Sequence, residues 1–417
     1  MTRVAPSPVP TPDQIRIHPG PALLAGISDG PSLDAHRERY GPLPAIGLDA
    51  LIDLVDRLGL RGRGGAAFPF ATKLQAAARG RRRPVVVVNL SEGEPASAKD
   101  AALALTRPHL VLDGAIATAV ALGAREVHLV LPGDRPAPHR RMSQALQERT
   151  DGVRLHAHTA DPRFVAGQAR AVVELMGGRA NLPVTSWAPE AVDGHRGRPT
   201  LLSNAETWAQ LGHLLHAGEA AYRRLGTAAE PGTTLLTVSR NGLLPEVREV
   251  PFGTPLHEVL PAFARGRPAL VGGFHGAWAT AETLAGARVS AAGLAALGLP
   301  LGAGVIHVPG PDDCLLAFTS SVVDYLAGQS AGRCGPCLNG LPALADAVRG
   351  VVHGQDTADR IDQLSRLLVR RGACAHPDGT VRMVHSLFVA LPQEVAAHRR
   401  GTCLAAPAAD TRHAVAS

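Results

Sequence analysis

Two periods of hydrophobic and polar positions alternate along the chain. Asp49–Leu58 carries apolar residues three and four apart and stops at Gly59, which predicts a helix. Pro84–Leu90 is a β-branched run of strand type. After it come a helical stretch over Ala101–Gly123, a strand at Glu126–Leu131, a helix around His139–Arg149 and a strand at Val153–His158. Strands alternating with helices predict a doubly wound, Rossmann-like α/β domain with a parallel sheet. Past Gly232 the texture changes to short strands at Thr234–Ser239, Val247–Val250 and Ala269–Val271 with a helix at Leu256–Ala264, the pattern of a small β-grasp-like module. From Asp312 the period is helical again. Helices are expected at Asp312–Ala327, Leu338–Val351, Ala358–Arg370 and Thr380–Ala390, enough for a C-terminal four-helix bundle. The first forty residues carry several prolines and no sustained period, so they read as an extension that wraps a neighbour or stays partly disordered. The expected boundaries are 1–40, 41–230, 231–308 and 309–400, with a tail at 401–417.

Composition narrows the classes. At 417 residues the chain is too long for one ordinary core, and 45% hydrophobic with 19% charged residues is the balance of a globular protein. No apolar stretch approaches the roughly 20 residues that cross a bilayer, and the opening residues lack the basic-then-apolar pattern of a leader. A cytoplasmic protein without direct membrane insertion is expected. The net charge of +6 is spread along the chain and 8 Phe, 3 Tyr and 3 Trp make no stacking platform, so nucleic acid is not an expected partner. Five cysteines, an odd number, favour metal or redox chemistry over a disulfide framework. Lys73 and Lys99 are the only lysines among 42 Lys and Arg residues. Where arginine serves everywhere else, a compact ammonium on a slim stem is what those two positions would require.

Both lysines stand beside motifs. Arg61-Gly62-Arg63-Gly64-Gly65 is a loop whose glycines let backbone N–H groups close around phosphate oxygens, and the helix carrying Lys73 follows it; a plain surface turn reads the same way. Asn89-Leu90-Ser91-Glu92-Gly93-Glu94 directly follows the β-branched run, at the sheet edge where open α/β folds bind ligands, and its bland alternative is a solvated loop. Gly167 and the segment Ser203–Thr207 are further loops expected near that edge. Towards the C-terminus, Cys334-Gly335-Pro336-Cys337 lies between two predicted helices and Cys374 between the next two. These thiols suit an iron–sulfur cluster, a zinc site or an exchanging dithiol. The dithiol reading wants a preceding aromatic and a βαβ setting, and has neither. Cys314, which opens a predicted helix, and Cys403, in the tail, read as structural or incidental thiols.

Taken in order from about Leu51 to Leu391, these segments resemble the FMN-binding, NADH-oxidising flavoprotein subunit of respiratory complex I, a family also found in NAD-linked hydrogenases and formate dehydrogenases. Gly59–Ala66 matches its flavin loop, with Phe68 and Pro69 following. The resemblance implies that Gly62, Arg63, Gly64, Gly65 and Lys73 bind FMN, with Gly62, Gly64 and Lys73 at its phosphate and ribityl groups. It implies that Phe68 lines the nicotinamide site, that Asn89 and Glu92 face the flavin and Glu94 the nucleotide, and that Gly167, Asn204 and Thr207 complete the flavin site. It also implies a [4Fe-4S] cluster on Cys334, Cys337 and Cys374, with Ala331 where the family has its remaining cysteine. The fourth ligand is left unassigned, with His376, two residues from Cys374, as a candidate whose default reading is a surface or capping residue. NADH is the implied substrate of an NAD(P)H:acceptor oxidoreductase, with no side-chain catalyst implied. Other electron-transfer subunits, ferredoxin-like or membrane-bound, are the implied partners, and through them a place at the inner face of the membrane.

Departures qualify the NADH expectation. Ala166-Gly167-Gln168-Ala169-Arg170 stands where the family has Cys-Gly-Glu-Glu-Thr, Ser91 replaces an Asp, Leu74 an aromatic, and the lysine before the family's paired prolines has no counterpart around Asn181-Leu182-Pro183. A flavoprotein relay between ferredoxin-type partners and a structural protein without redox activity therefore stay open as alternatives.

Overall fold

The structure, a computed structural model, describes residues 14–405. The start of the expected N-terminal extension and most of the expected tail lie outside the described residues. Within them, the strands in chain order are β1 (Arg16–Ile17), β2 (Val85–Asn89), β3 (Glu126–Pro132), β4 (Arg154–Ala160), β5 (Thr200–Asn204), β6 (Thr233–Ser239), β7 (Glu246–Pro251), β8 (Ala269–Val271), β9 (Ala277–Ala279) and β10 (Val305–His307).

β2, Val-Val-Val-Val-Asn, shows how the first sheet is covered on both sides. Val86 and Val88 join the larger core with Leu103, Leu112 and Trp208, whereas Val85 and Val87 turn to a smaller cluster with Val172 and Met176. Strands apolar on both faces are what an all-parallel sheet requires, and the order β4-β3-β2-β5 is parallel throughout. The chain steps outward from β2 to β4 and then returns to add β5 on the other side of β2. That reversal sets a switch point at the C-terminal ends of β2 and β5, where Asn89 stands in register with Asn204.

The stretch expected as one helix from Ala101 to Gly123 is two, Lys99–Thr106 and Pro108–Ala121. Pro108 has no N–H to continue the ladder, and Arg107 leaves the helical region at φ −138°. The second of these helices lies against the Ala205–Ala217 helix through Gly114 and Gly212. A Cβ on either would run into the opposing backbone carbonyl, of Trp208 or Leu110, so the close approach needs glycine on both sides.

The second sheet is mixed, in the order β1-β7-β6-β10-β8-β9. β1 adds itself parallel to β7, and beyond it Leu23 and Leu24 are fully buried while the N–H groups of Ala22, Leu23 and Leu24 donate to the Glu249 carboxylate at 3.0, 2.8 and 2.9 Å. The expected Leu256–Ala264 helix is broken at Pro261 into Leu256–Val259 and a 3₁₀ turn at Ala262–Ala264. The last part of the chain holds helices at Leu315–Gly328, Leu341–Val352, Ala358–Leu368 and His376–Ala390, and an unexpected further one at Pro392–Arg399. They share a core with Phe274, in the turn between β8 and β9, and with Trp278 of β9. Among the described residues no helix is long and apolar enough to cross a membrane.

Candidate functional site

The glycine loop closes on itself and on the sheet edge. Gly62 N donates to Phe68 O at 2.9 Å, and Arg63 N donates to the buried Thr207 hydroxyl at 2.9 Å. Gly65 sits at φ +103°, which only glycine adopts without strain. Among the described residues nothing accepts from the N–H of Gly64, Gly65 or Ala66, so the loop presents free donors over Asn204, the N-cap of the Ala205–Ala217 helix. Non-glycine residues with positive φ mark strain that the surroundings must hold. Two of them, Ala67 at +49° and Glu92 at +41°, lie in this loop and in the one after β2.

Beneath the loop is a cavity of about 170 Å³ whose lining includes Gly62, Arg63, Gly65, Lys99, Glu206 and Gly302. A pocket enclosing a whole ligand usually measures about 300–1,000 Å³, so this one suits an anionic end group. The Arg63 guanidinium stacks over Phe252 at 4.6 Å, and its Nε is buried without a hydrogen-bond partner. That guanidinium also lies 3.9 Å from Glu206 Oε1 and donates from Nη2 to Thr233 O at 3.3 Å, so the free backbone N–H groups and the helix N-terminus, with Arg63 beside them, are the donor set that fits a phosphate monoester.

Lys99 is the buried ammonium of this cavity. Its Nζ donates to Asp100 Oδ1 and Asn204 Oδ1, each at 2.8 Å, and lies 3.2 Å from Glu206 Oε2. Burial works against its charge, but Asp100 and Glu206 outweigh that and hold its pKa above the ordinary lysine value. Lys73, by contrast, turns its Nζ to Glu190 Oε1 and Leu202 O, both at 3.2 Å, and lies 5.9 Å from the centre of the Phe68 ring. Phe68 is 47% exposed, an aromatic face left open beside the loop.

Residues after β2 are committed to local anchoring. Asn89 Nδ2 donates to Gly167 O at 2.7 Å while its Oδ1 accepts from Ser91 N and Oγ at 3.1 and 2.7 Å, which ties the Gly167 turn to the sheet edge. Glu92 caps the Lys99–Thr106 helix by accepting from Asp100 N and Ala101 N at 2.9 and 3.0 Å, and pairs with Arg135 at 2.6 Å. Glu94 accepts from Phe274 N at 2.7 Å and Ala96 N at 3.3 Å, joining the parallel sheet to the second one. Burial pushes the Glu94 carboxyl up to about 7, against the pull of those two N–H groups. The folded form then holds this proton more tightly than the unfolded chain, so the stabilisation is complete below the ordinary glutamate value of 4.5 and is lost as pH rises towards about 7. Denaturation midpoints measured across that interval should fall for the wild type relative to Glu94→Gln; parallel curves would show that Glu94 titrates normally.

Cys334 and Cys337 Sγ are 3.6 Å apart, and Cys374 stands in the connection between the Ala358–Leu368 and His376–Ala390 helices. Pro336–Gly340 is a π-helical turn leading into the Leu341–Val352 helix, a distortion that often marks a functional position. Burial, then the neighbouring Cys334, raises the Cys337 thiol to about 11. His376 is not at the surface and does not face the thiols. It is fully buried, with Nε2 2.8 Å from Leu326 O and Nδ1 3.0 Å from His275 Nε2, so both ring nitrogens are taken. Ala331 leaves the fourth position of the group without a side-chain donor.

Of the cavity's other residues, Glu206 lies inside the Ser203–Thr207 segment expected at this edge without being singled out there, and the scarcity of lysine points at Lys99. Nothing local to the Pro300–Gly302 turn signals its place.

Two family models match the chain: the Nuo51 FMN-binding domain over residues 55–213 and the NADH-ubiquinone oxidoreductase-F iron-sulfur binding region over residues 317–398. An F-type subunit of NADH-quinone oxidoreductase from Rhizobium meliloti (strain 1021) is 26% identical over 399 residues, which span 90% of this chain and 94% of that one. The F-type subunit of the Mycobacterium bovis NADH-quinone oxidoreductase is 28% identical over 381 residues, 85% of either chain. Among solved structures, an NAD+-reducing [NiFe]-hydrogenase in the air-oxidized state aligns with a TM-score of 0.79 at 25% identity, over 92% of this chain and 68% of that one. With one model on the flavin-loop region, a second on the cysteine-bearing helices and relatives aligned along nearly the full length, the chain belongs to the family of NADH-quinone oxidoreductase F-type subunits.

Proposed function

We propose that this chain is a flavin-dependent electron-transfer subunit that takes electrons from NADH at FMN and passes them through an iron–sulfur cluster to a partner. Bound FMN would supply a two-electron acceptor able to release electrons singly, and the cluster a one-electron carrier. The observation that carries the reading is a run of contacts: Asn89 holds the Phe164–Gly167 turn at Gly167 O, and Phe164 at the other end of that turn donates its N–H to Gln329 Oε1 at 2.9 Å and packs 5.5 Å from the ring of His376, two residues from Cys374. The turn thereby links the flavin-loop edge to the helices that carry the thiols.

In this reading the N–H groups of Gly64, Gly65 and Ala66 with Arg63 and Gly62 bind the FMN phosphate. Asn89, Gly167, Asn204 and Thr207 shape the edge that receives the ring, Lys73 steadies the exposed Phe68 that faces the nicotinamide, and Glu92 and Glu94 fix the loop between them. Cys334, Cys337 and Cys374 hold the cluster. Three of the four hydrophobic cores, each drawn mainly from one stretch of chain although Leu235 and Val247 join the first and Leu270 and Trp278 the helical one, support a division into an FMN-binding domain at 41–230, a β-grasp, SLBB-like domain at 231–308 and a helical iron–sulfur domain at 309–400, the last a four-helix bundle extended by the Pro392–Arg399 helix. Its relatives are subunits by name, so the acceptor is a partner electron-transfer protein, and any contact with the membrane comes through that partner.

NADH titration of the anaerobic, FMN-loaded protein tests this. Loss of the family's two carboxylates at Gln168 and Ala169 removes hydrogen bonds worth about 0.5–1.5 kcal/mol each, so flavin bleaching is expected at NADH concentrations on the order of ten- to a hundredfold above those a relative with both carboxylates needs. Protein that takes up no FMN would overturn the assignment. Flavin reduced by a ferredoxin-type donor but not by NADH would make the chain a relay between protein partners.

A further inference from the structure

We propose that Cys314, His398 and Cys403 form a zinc site distinct from the Cys334, Cys337 and Cys374 group. Their ligand atoms all lie within 4.8 Å of one another, and Cys314 Sγ is 3.2 Å from His398 Nε2. The other ring nitrogen decides how that contact is made. His398 Nδ1 lies 2.8 Å from Val352 O, and a carbonyl can only accept, so Nδ1 carries the proton and Nε2 turns a bare lone pair towards the thiol. A histidine oriented by an N–H to a backbone carbonyl is the arrangement that metal-ligating imidazoles use.

The neighbours fit a cation. Cys314 N-caps the Leu315–Gly328 helix, its Sγ accepting from Ala317 N at 3.3 Å, which fixes the sulfur at the helix start facing His398. Glu394 precedes His398 by one turn of the Pro392–Arg399 helix, on the same face. Its Oε2 is buried and has no hydrogen-bond partner among the described residues. Two thiolates and an imidazole are a zinc donor set, with the fourth position left to water or to the Glu394 carboxylate. Cys403 is exposed, which gives the metal a way in.

Two helices keep this group apart from the cluster thiols. The Leu315–Gly328 helix, 14 residues, begins at Cys314 and ends before Cys334. The Leu341–Val352 helix, 12 residues, begins just after Cys337 and ends at Val352, the partner of His398. At 1.5 Å per residue each spans roughly 20 Å, so the two groups occupy opposite ends. Zinc here would fasten the segment after Arg399 to the start of the Leu315–Gly328 helix.

The test uses the full chain, purified anaerobically and analysed for zinc and iron, then stripped with a chelator and titrated with Co²⁺. About one zinc per chain is expected, and with Co²⁺ the intense thiolate-to-metal charge-transfer absorption of a tetrahedral site. Both should be lost in Cys403→Ser, whose exposed position spares the fold, and in His398→Ala. Both should persist in Cys334→Ser, which alters iron alone. Zinc kept in Cys403→Ser and lost in Cys334→Ser overturns the proposal, as does iron on Cys314 and Cys403, or a Cys314–Cys403 disulfide without zinc in freshly mapped protein. A failed cluster assignment would show separately, as absent iron.

Discussion

Replacing Lys99 by methionine is expected to lower the thermal unfolding midpoint by on the order of 10 °C and to release bound flavin. The stem of methionine fills similar space, but the ammonium that sits between Asp100, Asn204 and Glu206 is gone. Lys99, Asp100 and Glu206 are respectively 3%, 2% and 1% exposed, so water cannot replace the lost donor. Removing one partner of a buried ion pair costs about 3–5 kcal/mol because the other charge stays buried, and each kcal/mol moves the midpoint of a domain this size by about 2–4 °C. The damage should spread beyond the cavity. Glu206 Oε1 accepts from Leu235 N at 2.9 Å and Thr234 Oγ1 at 3.1 Å, so its carboxylate also docks β6 and the second sheet onto the parallel one. Calorimetry on wild type, Lys99→Met and Lys99→Met/Glu206→Gln would check this. The double variant removes one of the stranded carboxylates and should recover part of the loss, a non-additivity that only a shared network produces. A single variant that melts with the wild type would mean that Lys99 is not the counter-ion of this site.

How much of this arrangement the sequence carried depends on how local each interaction is. β2 and the loop after it were legible because a β-branched run ending in polar residues is itself the physical reason for a buried parallel strand with a ligand edge. The helix break at Pro108 was written in the chain too, but apolar spacing on either side of it reads as one continuous face. The Glu92 side chain could not be followed. A motif places it at the flavin, whereas its carboxylate is drawn to the helix start eight and nine residues on and to Arg135, 43 residues away. Lys73 and Lys99 show the same limit from the other side: rarity flagged both, and only the fold separates the one facing Glu190 from the one lining the cavity. Likewise Cys314 and His398, 84 residues apart, carry no common motif. Contacts of that separation are decided by how the helices stack, which periodicity alone does not fix.

Cys374→Ser is expected to abolish the iron–sulfur centre, with iron and acid-labile sulfide falling to background in anaerobically reconstituted protein. Cys334 and Cys337 approach from a single turn, 3.6 Å apart, and can hold only one side of a cluster. Cys374 comes from the connection between the Ala358–Leu368 and His376–Ala390 helices and closes the other side. His376 cannot take over, since its ring nitrogens already bind Leu326 O and the His275 ring in the core. With Ala331 in the remaining position the wild type would hold the proposed cubane through three thiolates where four are usual, which would leave one iron open to exchange and to oxygen. Ala331→Cys should therefore slow oxidative loss of iron, and it should do so only while Cys374 is present. The side chain at 331 has room, because the loop there is partly open to solvent. Absorbance decay in air, followed for wild type, Ala331→Cys, Cys374→Ser and the double variant, separates these contributions. If Cys374→Ser keeps its iron, the third thiol is not a ligand, and the electrons leaving the Gly167 edge must find a path that does not run through Cys374.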